Sequence, residues 1–173
     1  MRLVSRLAAL ATCLACAAAR RPPDPGGSPV IAVIERTGCF GDCPSYRLTL
    51  HENGVLLFQR LDDEAGGSEK EPLRGRRLSV DELGAMARAF ERAGFARLAS
   101  YERDDCTDFQ TVTLEWRGHT VVHYWGDQSA PRALYDLEGE LDRIAGSRRW
   151  LGSDPHQAAP MGTTCMRLSG GED

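Results

Sequence analysis

Tyr46, Leu48 and Leu50 alternate with Arg47, Thr49 and His51, and Asn53-Gly54 follows directly. A period of two is what a strand with one buried face requires. Asn-Gly tolerates positive φ at both central turn positions and is the strongest short hairpin signal a chain can carry. A two-residue turn there pairs Leu50 with Leu57 and Tyr46 with Leu61, making one apolar face across both strands. Phe58 then falls on the opposite face. A chain with this feature is committed to antiparallel sheet.

The rest of the pattern agrees. Val30 to Glu35 is a short β-branched run that reads as a buried strand. Phe109–Trp116 and His119–Trp125 form a second hairpin across Arg117-Gly118, pairing Leu114 with Val121 and Val112 with His123. Trp116, Val121 and Trp125 share its apolar face. Between the hairpins, Asp62 to Arg77 is polar and Gly-rich and reads as a mobile loop. Ser79 and Glu82 then make a capping box, and Leu83, Met86, Ala87 and Phe90 form a helical stripe closed by Gly94. A last helix starts near Ser129 with Pro131 in its first turn; Leu134, Leu137, Leu141 and Ile144 are its stripe and Gly146 its end. The order β-β-β-α-β-β-α predicts an α+β fold, an antiparallel sheet of about five strands packed on two helices.

The ends of the chain read differently. Arg2 and Arg6 precede an apolar stretch, Leu7 to Ala15, too short to span a bilayer, as in a secretory leader. Leu14-Ala15-Cys16 resembles the end of a bacterial lipobox, which makes residues 1–16 a lipoprotein leader and Cys16 the acylated first residue. Leu10 to Cys13 is a weaker match, and Ala17-Ala18-Ala19 suits an ordinary signal peptidase, which would give a secreted soluble protein. The predicted location is therefore the bacterial cell envelope, outer membrane or periplasm, with the membrane as partner through a lipid anchor. Residues 17–29 are Pro- and Gly-rich and read as a solvated tether. One domain occupies 30–151, and 152–173 is a polar tail. Formal net charge is -4, which leaves no basic footprint for nucleic acid.

Four cysteines lie beyond the leader: Cys39, Cys43, Cys106 and Cys165. On an extended strand Cys39 and Cys43 would stand about 13 Å apart, far beyond disulfide reach, so a turn must bring them together. Gly38, Gly41 and Pro44 supply one, and an oxidising compartment favours a disulfide. Cys106 and Cys165 are then the remaining pair, closing a loop of about 60 residues worth roughly 4 kcal/mol in the chain-entropy description. Two other chemistries compete for Cys39 and Cys43. Cys-x-x-x-Cys-Pro is also the pattern of a periplasmic copper-binding motif, where His51 or His123 would complete a soft ligand set for copper; thiol redox exchange is the other. In the copper chaperones that motif opens a helix, whereas here it enters a strand.

The stretch GCFGDCPSY resembles the signature, GCFGxCPxY, of a family of uncharacterised bacterial secreted and lipoprotein domains. Cys39, Phe40, Gly41, Cys43, Pro44 and Tyr46 carry the likeness, which runs from about Val30 to Leu151. The resemblance implies a fold and a compartment and no activity, since that family has none established.

The remaining signals are weak. His119 and His123 point to one face of a strand but stand about 13 Å apart, too far to share a metal; His123 reads as a hydrogen-bonded core or rim histidine. Asp104, Asp105 and Asp108 form an acidic loop without the spacing of a calcium loop. Trp116, Tyr124 and Trp125 could line a binding face, but core packing explains most of them. No catalytic residue emerges and no cofactor is required. The sequence predicts a non-catalytic binding or structural module, with a copper-binding or thiol redox protein as the alternative.

Overall fold

A computed structural model describes residues 21–39, 43–61, 72–103, 109–153 and 155. Among them, six strands form one antiparallel sheet: β1 Val30–Arg36, β2 Tyr46–His51, β3 Val55–Arg60, β4 Arg74–Arg77, β5 Thr111–Trp116 and β6 His119–Tyr124. Their order across the sheet is β4-β3-β2-β1-β5-β6. Helices α1 (Val80–Arg92) and α2 (Arg132–Ala145) pack on one face, and a four-residue helix α3 (Arg148–Leu151) follows α2. The α+β class holds; the sheet has six strands rather than about five.

The additional strand is the end of the stretch read as a loop. Arg74–Arg77 shows no apolar alternation, yet it pairs with β3 from Phe58 to Val55. Arginines suit this edge because they resist pairing with a further strand. Residues 62–71 of that loop lie outside the described residues.

The second hairpin forms in the expected register, with Leu114 opposite Val121 and Val112 opposite His123. Arg117 and Gly118 both take positive φ, 50° and 84°, as a two-residue turn demands. The first hairpin does not. Leu50 pairs with Leu56, Leu48 with Phe58 and Tyr46 with Arg60. The loop holds three residues, Glu52 to Gly54, with the Gly54 N–H donating to His51 O at 2.9 Å and Gly54 at φ 83°. This is the three-residue hairpin in which a left-handed glycine adds a bulge. A slip of one residue turns the strand over. Phe58 therefore enters the core, between Tyr46 and Trp150 at ring distances of 5.6 and 5.0 Å, and Leu57 moves to the open face.

Both helices start and stop where local chemistry dictates. The Ser79–Glu82 capping box is present at α1. Pro131 is the N-cap of α2, so the helix begins at Arg132, three residues beyond the expected start near Ser129, and proline lies just outside it; Gly146 ends it in the left-handed region at φ 74°. Alternating Ala32 and Ile34, Leu48 and Leu50, Leu56 and Phe58, Val112 and Leu114 meet Met86, Phe90, Leu134, Leu137 and Leu141 in a single core.

Arg76 fastens the edge of the sheet to both helices. Its guanidinium donates to Ile144 O at 2.6 Å and Ala145 O at 3.1 Å, the unsatisfied carbonyl end of α2, and to Glu82 at the start of α1. The Arg76 hydrogen bond, and then that from the Ser79 backbone, hold the Glu82 carboxyl at about 2, below its usual 4.5. A depressed folded-state pKa stabilises above the unfolded value and is lost as pH falls through the folded one. Acid melts should therefore show a loss between pH 4.5 and 2 that Glu82→Gln removes. With the Glu82 side chain 36% exposed, solvent keeps that contribution small. An unchanged acid limb in the variant would contradict the assignment.

Candidate functional site

Strand β1 ends on a charge that faces inward. Ala32, Ile34 and Arg36 share the helix-facing side, and Arg36 is fully buried beside its cross-strand partner Tyr46. Helix α2 has the matching anomaly: its apolar stripe is interrupted by Glu138 and Asp142, four residues apart and both buried. Burying an ion costs several kcal/mol unless its hydrogen-bonding capacity is met. Here it largely is.

Arg36 Nε and Nη2 donate to Asp142 Oδ2 at 3.0 and 2.8 Å. The Tyr46 hydroxyl and Ser147 Oγ donate to Asp142 Oδ1, the latter at 2.7 Å. One row further along the helix, Trp125 Nε1 donates to Glu138 Oε2 at 2.7 Å, and His123 Nδ1 lies 2.6 Å from Glu138 Oε1. Arg36 Nη1 stands 3.8 Å from Glu138 Oε2, and the guanidinium lies over the Trp125 ring at 5.4 Å. Burial by itself lowers the pKa of Arg36, but Asp142, Tyr46 and Glu138 outweigh it and the value rises above the ordinary arginine range. Burial, with Asp142 alongside and against the pull of Arg36, pushes the Tyr46 phenol well up. Tyr46 is thus a fixed donor. Among the described residues, the buried side-chain atoms without a hydrogen-bond partner are Arg36 Nη1, His123 Nε2 and both polar atoms of Gln110.

This network supports the loop between β1 and β2. Cys39 and Cys43 are joined in a disulfide with Cα atoms 5.4 Å apart. The loop leaves the sheet at Arg36 and returns at Tyr46, the two residues that grip Asp142. Its feet are also tied by the backbone: Ser45 Oγ donates to Arg36 O at 3.1 Å, Thr37 N to Thr111 O at 3.0 Å and Thr111 N to Thr37 Oγ1 at 2.9 Å. Phe40, Gly41 and Asp42 lie outside the described residues. Beside Asp142 a groove of about 560 Å³ runs between Gly139, Arg143, Gly146, Arg148 and Pro155. The disulfide-closed loop, its charged base and this groove are the candidate site.

The copper set is not assembled. Both sulfurs are in the disulfide, His123 is in the core against Glu138, and His51 lies on the other face of the sheet, at the far end of β2, with Nδ1 2.7 Å from Ser28 O. Among the described residues no three His, Cys, Asp or Glu side chains converge as a metal would require. His119 Nε2 lies 3.1 Å from Leu98 O, and Trp116 stacks on Phe90. Tyr124 faces the opposite side from Trp116 and Trp125, where it lines a shallow groove of about 350 Å³ with Glu102, Thr111 and Val122. Cys16, Cys106, Cys165, Asp104, Asp105 and Asp108 lie outside the described residues.

Sequence reasoning did not single out Arg36, Glu138 or Asp142, and it used Tyr46 only as an apolar-face strand position and as part of a signature. The usable signals were an arginine at an inward strand position and two acids four apart within an apolar helical stripe.

A family model described as a domain of unknown function, DUF6438, matches residues 31–145. The chain belongs to the DUF6438 family. The match begins in β1 and ends at the last residue of α2, so it takes in every strand, both long helices, the disulfide and the whole Arg36–Glu138–Asp142 network. The DUF6438 match leaves residues 1–30 and 146–173 outside it. No curated protein and no solved structure matches the chain.

Proposed function

We propose that this DUF6438 chain is a lipid-anchored module of the bacterial cell envelope, at the outer membrane or in the periplasm, that presents the Cys39–Cys43 loop for binding or bracing rather than for catalysis. The observation that carries the reading is the construction of the loop: a disulfide across its middle and a buried ion pair under both feet. A disulfide belongs to an oxidising compartment, and a loop held at both ends loses little entropy on binding. The leader ending at Cys16 supplies the anchor. The disulfide also speaks against the copper and redox alternative, because thiolates, not a disulfide, ligate copper.

The test is a non-reducing peptide map together with Cys16→Ser. The expected map contains a Cys39–Cys43 fragment and a separate Cys106–Cys165 fragment. Free thiols at Cys39 and Cys43 with stoichiometric copper would overturn the reading, as would either cysteine joined to Cys165. Cys16→Ser should leave precursor unprocessed and abolish lipid labelling. Unchanged processing would instead point to the Ala17-Ala18-Ala19 site or Cys13, and to a soluble secreted protein.

A further inference from the structure

The groove beside Asp142 is lined by acids and bases alike, but its acids are already engaged. Asp142 accepts from Arg36 Nε and Nη2 through Oδ2, and from Tyr46 and Ser147 through Oδ1, which fills the roughly four acceptor sites of a carboxylate. Glu140 takes Arg92 Nη2 on its two oxygens at 2.8 and 2.7 Å, with Arg143 Nη2 3.5 Å away. The carbonyls of Ile144 and Ala145, where α2 would otherwise end on negative charge, are held by Arg76. Arg148 lines the groove, is exposed and makes no ion pair among the described residues. The Arg149 guanidinium lies across Gly146, with Nε 2.9 Å from where a Cβ would stand, and over Trp150 at 5.9 Å. Among the described residues, the guanidinium groups of Arg36, Arg92, Arg143, Arg148 and Arg149 therefore meet only the carboxylates of Glu138, Glu140 and Asp142 around this groove. The chain as a whole has a formal net charge of -4, so this corner is cationic against the trend of the molecule.

We propose, resting on the reading of this loop base and groove as a binding site, that the groove takes an organic oxyanion: a small molecule with a carboxylate or phosphate head and an uncharged body. The surplus of positive charge favours an anion, and an unpaired guanidinium presents a planar fork that fits two oxygens of one head group. Arg148 is that fork, and Arg143, only 3.5 Å from a Glu140 that Arg92 already holds, supplies a second. The volume of about 560 Å³ is that of a small-molecule site, roughly 300–1,000 Å³, and exceeds what a lone inorganic anion fills. Gly139, Gly146 and Pro155 make up the rest of the lining and offer an uncharged floor to the body of the ligand. Asp142, with its acceptor sites filled and Arg36 opposite, stiffens that floor and leaves the polar contacts to the arginines. The Cys39–Cys43 loop rests on the same Asp142 through Arg36 and Tyr46, so a ligand in the groove lies against the base of the loop.

The experiment is an NMR titration of the full mature chain, isotope-labelled and held in zwitterionic micelles, with phenyl phosphate, benzoate and the neutral benzyl alcohol. A peptide map of the same sample first establishes the Cys39–Cys43 disulfide. Saturable shifts of the Gly139, Gly146 and Arg148 amides with one or both anions, and none with benzyl alcohol, are expected, and the tighter anion names the head group. Inorganic phosphate should bind more weakly than phenyl phosphate, because it leaves the floor uncovered. Arg143→Gln with Arg148→Gln should weaken binding at least about tenfold, and added salt should weaken it as well, since both side chains are exposed. For the same reason the double variant should keep the parent's urea midpoint. No saturable shift at these amides, equal shifts from benzyl alcohol, or an unchanged affinity in the folded double variant would overturn the oxyanion. Shifts at Gly139 and Gly146 on deleting residues 156–173, with no response to the probes, would overturn it in favour of the chain's own tail. With the disulfide intact, these results overturn the ligand class alone, whereas free thiols at Cys39 and Cys43 would overturn the loop reading on which it rests.

Discussion

Asp142→Ala is expected to destabilise the domain by about 3–5 kcal/mol, a large part of the 5–15 kcal/mol that holds a domain of this size. The carboxylate is the only acceptor within hydrogen-bond distance of the Arg36 guanidinium among the described residues, and it also receives Tyr46 and Ser147. Truncation strands a buried cation and two hydroxyls at once. Asp142→Asn should lose less, because an amide oxygen still accepts from Tyr46 or Ser147 while the charge opposite Arg36 is gone. Removing both ions tests the account directly. Arg36→Met with Asp142→Leu leaves no uncompensated charge between that pair, and should recover most of what Asp142→Ala loses. Urea midpoints at unchanged m-value measure all three. A loss below about 1 kcal/mol for Asp142→Ala would mean that water reaches Arg36 and the pair is not the base of the loop.

Phe58→Ala should cost about 3–5 kcal/mol, and Leu57→Ala about 1 kcal/mol. Phe58 is 1% exposed, stacks on Tyr46 and Trp150, and links β3 to the α3 turn, whereas Leu57 is half-buried on the open face near Gly75. The two variants discriminate between registers. A two-residue turn at Asn53-Gly54 would bury Leu57 and expose Phe58, so its ranking would be the reverse. Equilibrium unfolding of the pair is sufficient, and a costlier Leu57→Ala would refute the three-residue loop.

The sequence by itself determined what a few neighbouring residues can decide. The Ser79–Glu82 box, the stripe from Leu134 to Ile144, and the turn at Arg117-Gly118 each act over about three helical turns or fewer, so their chemistry is written locally and the structure reproduces it. Period and turn type were enough for the α+β class and for one hairpin register. They were not enough for the other, because Asn53-Gly54 suits a two-residue and a three-residue loop alike. The choice between them is made by which aromatic face the helices cover. β4 was invisible because its pattern is arginine and glycine. Its place comes from β3 hydrogen bonds and from carbonyls at the end of α2 and in α3 that Arg74 and Arg76 reach from about 70 residues away. The charged base of the loop is the extreme case. Arg36 at an inward position is unfavourable alone, and Asp142 and Glu138 in an apolar stripe are unfavourable alone. Each becomes stabilising only when folding brings Arg36 and Asp142 together across 106 residues, and no local rule contains that distance.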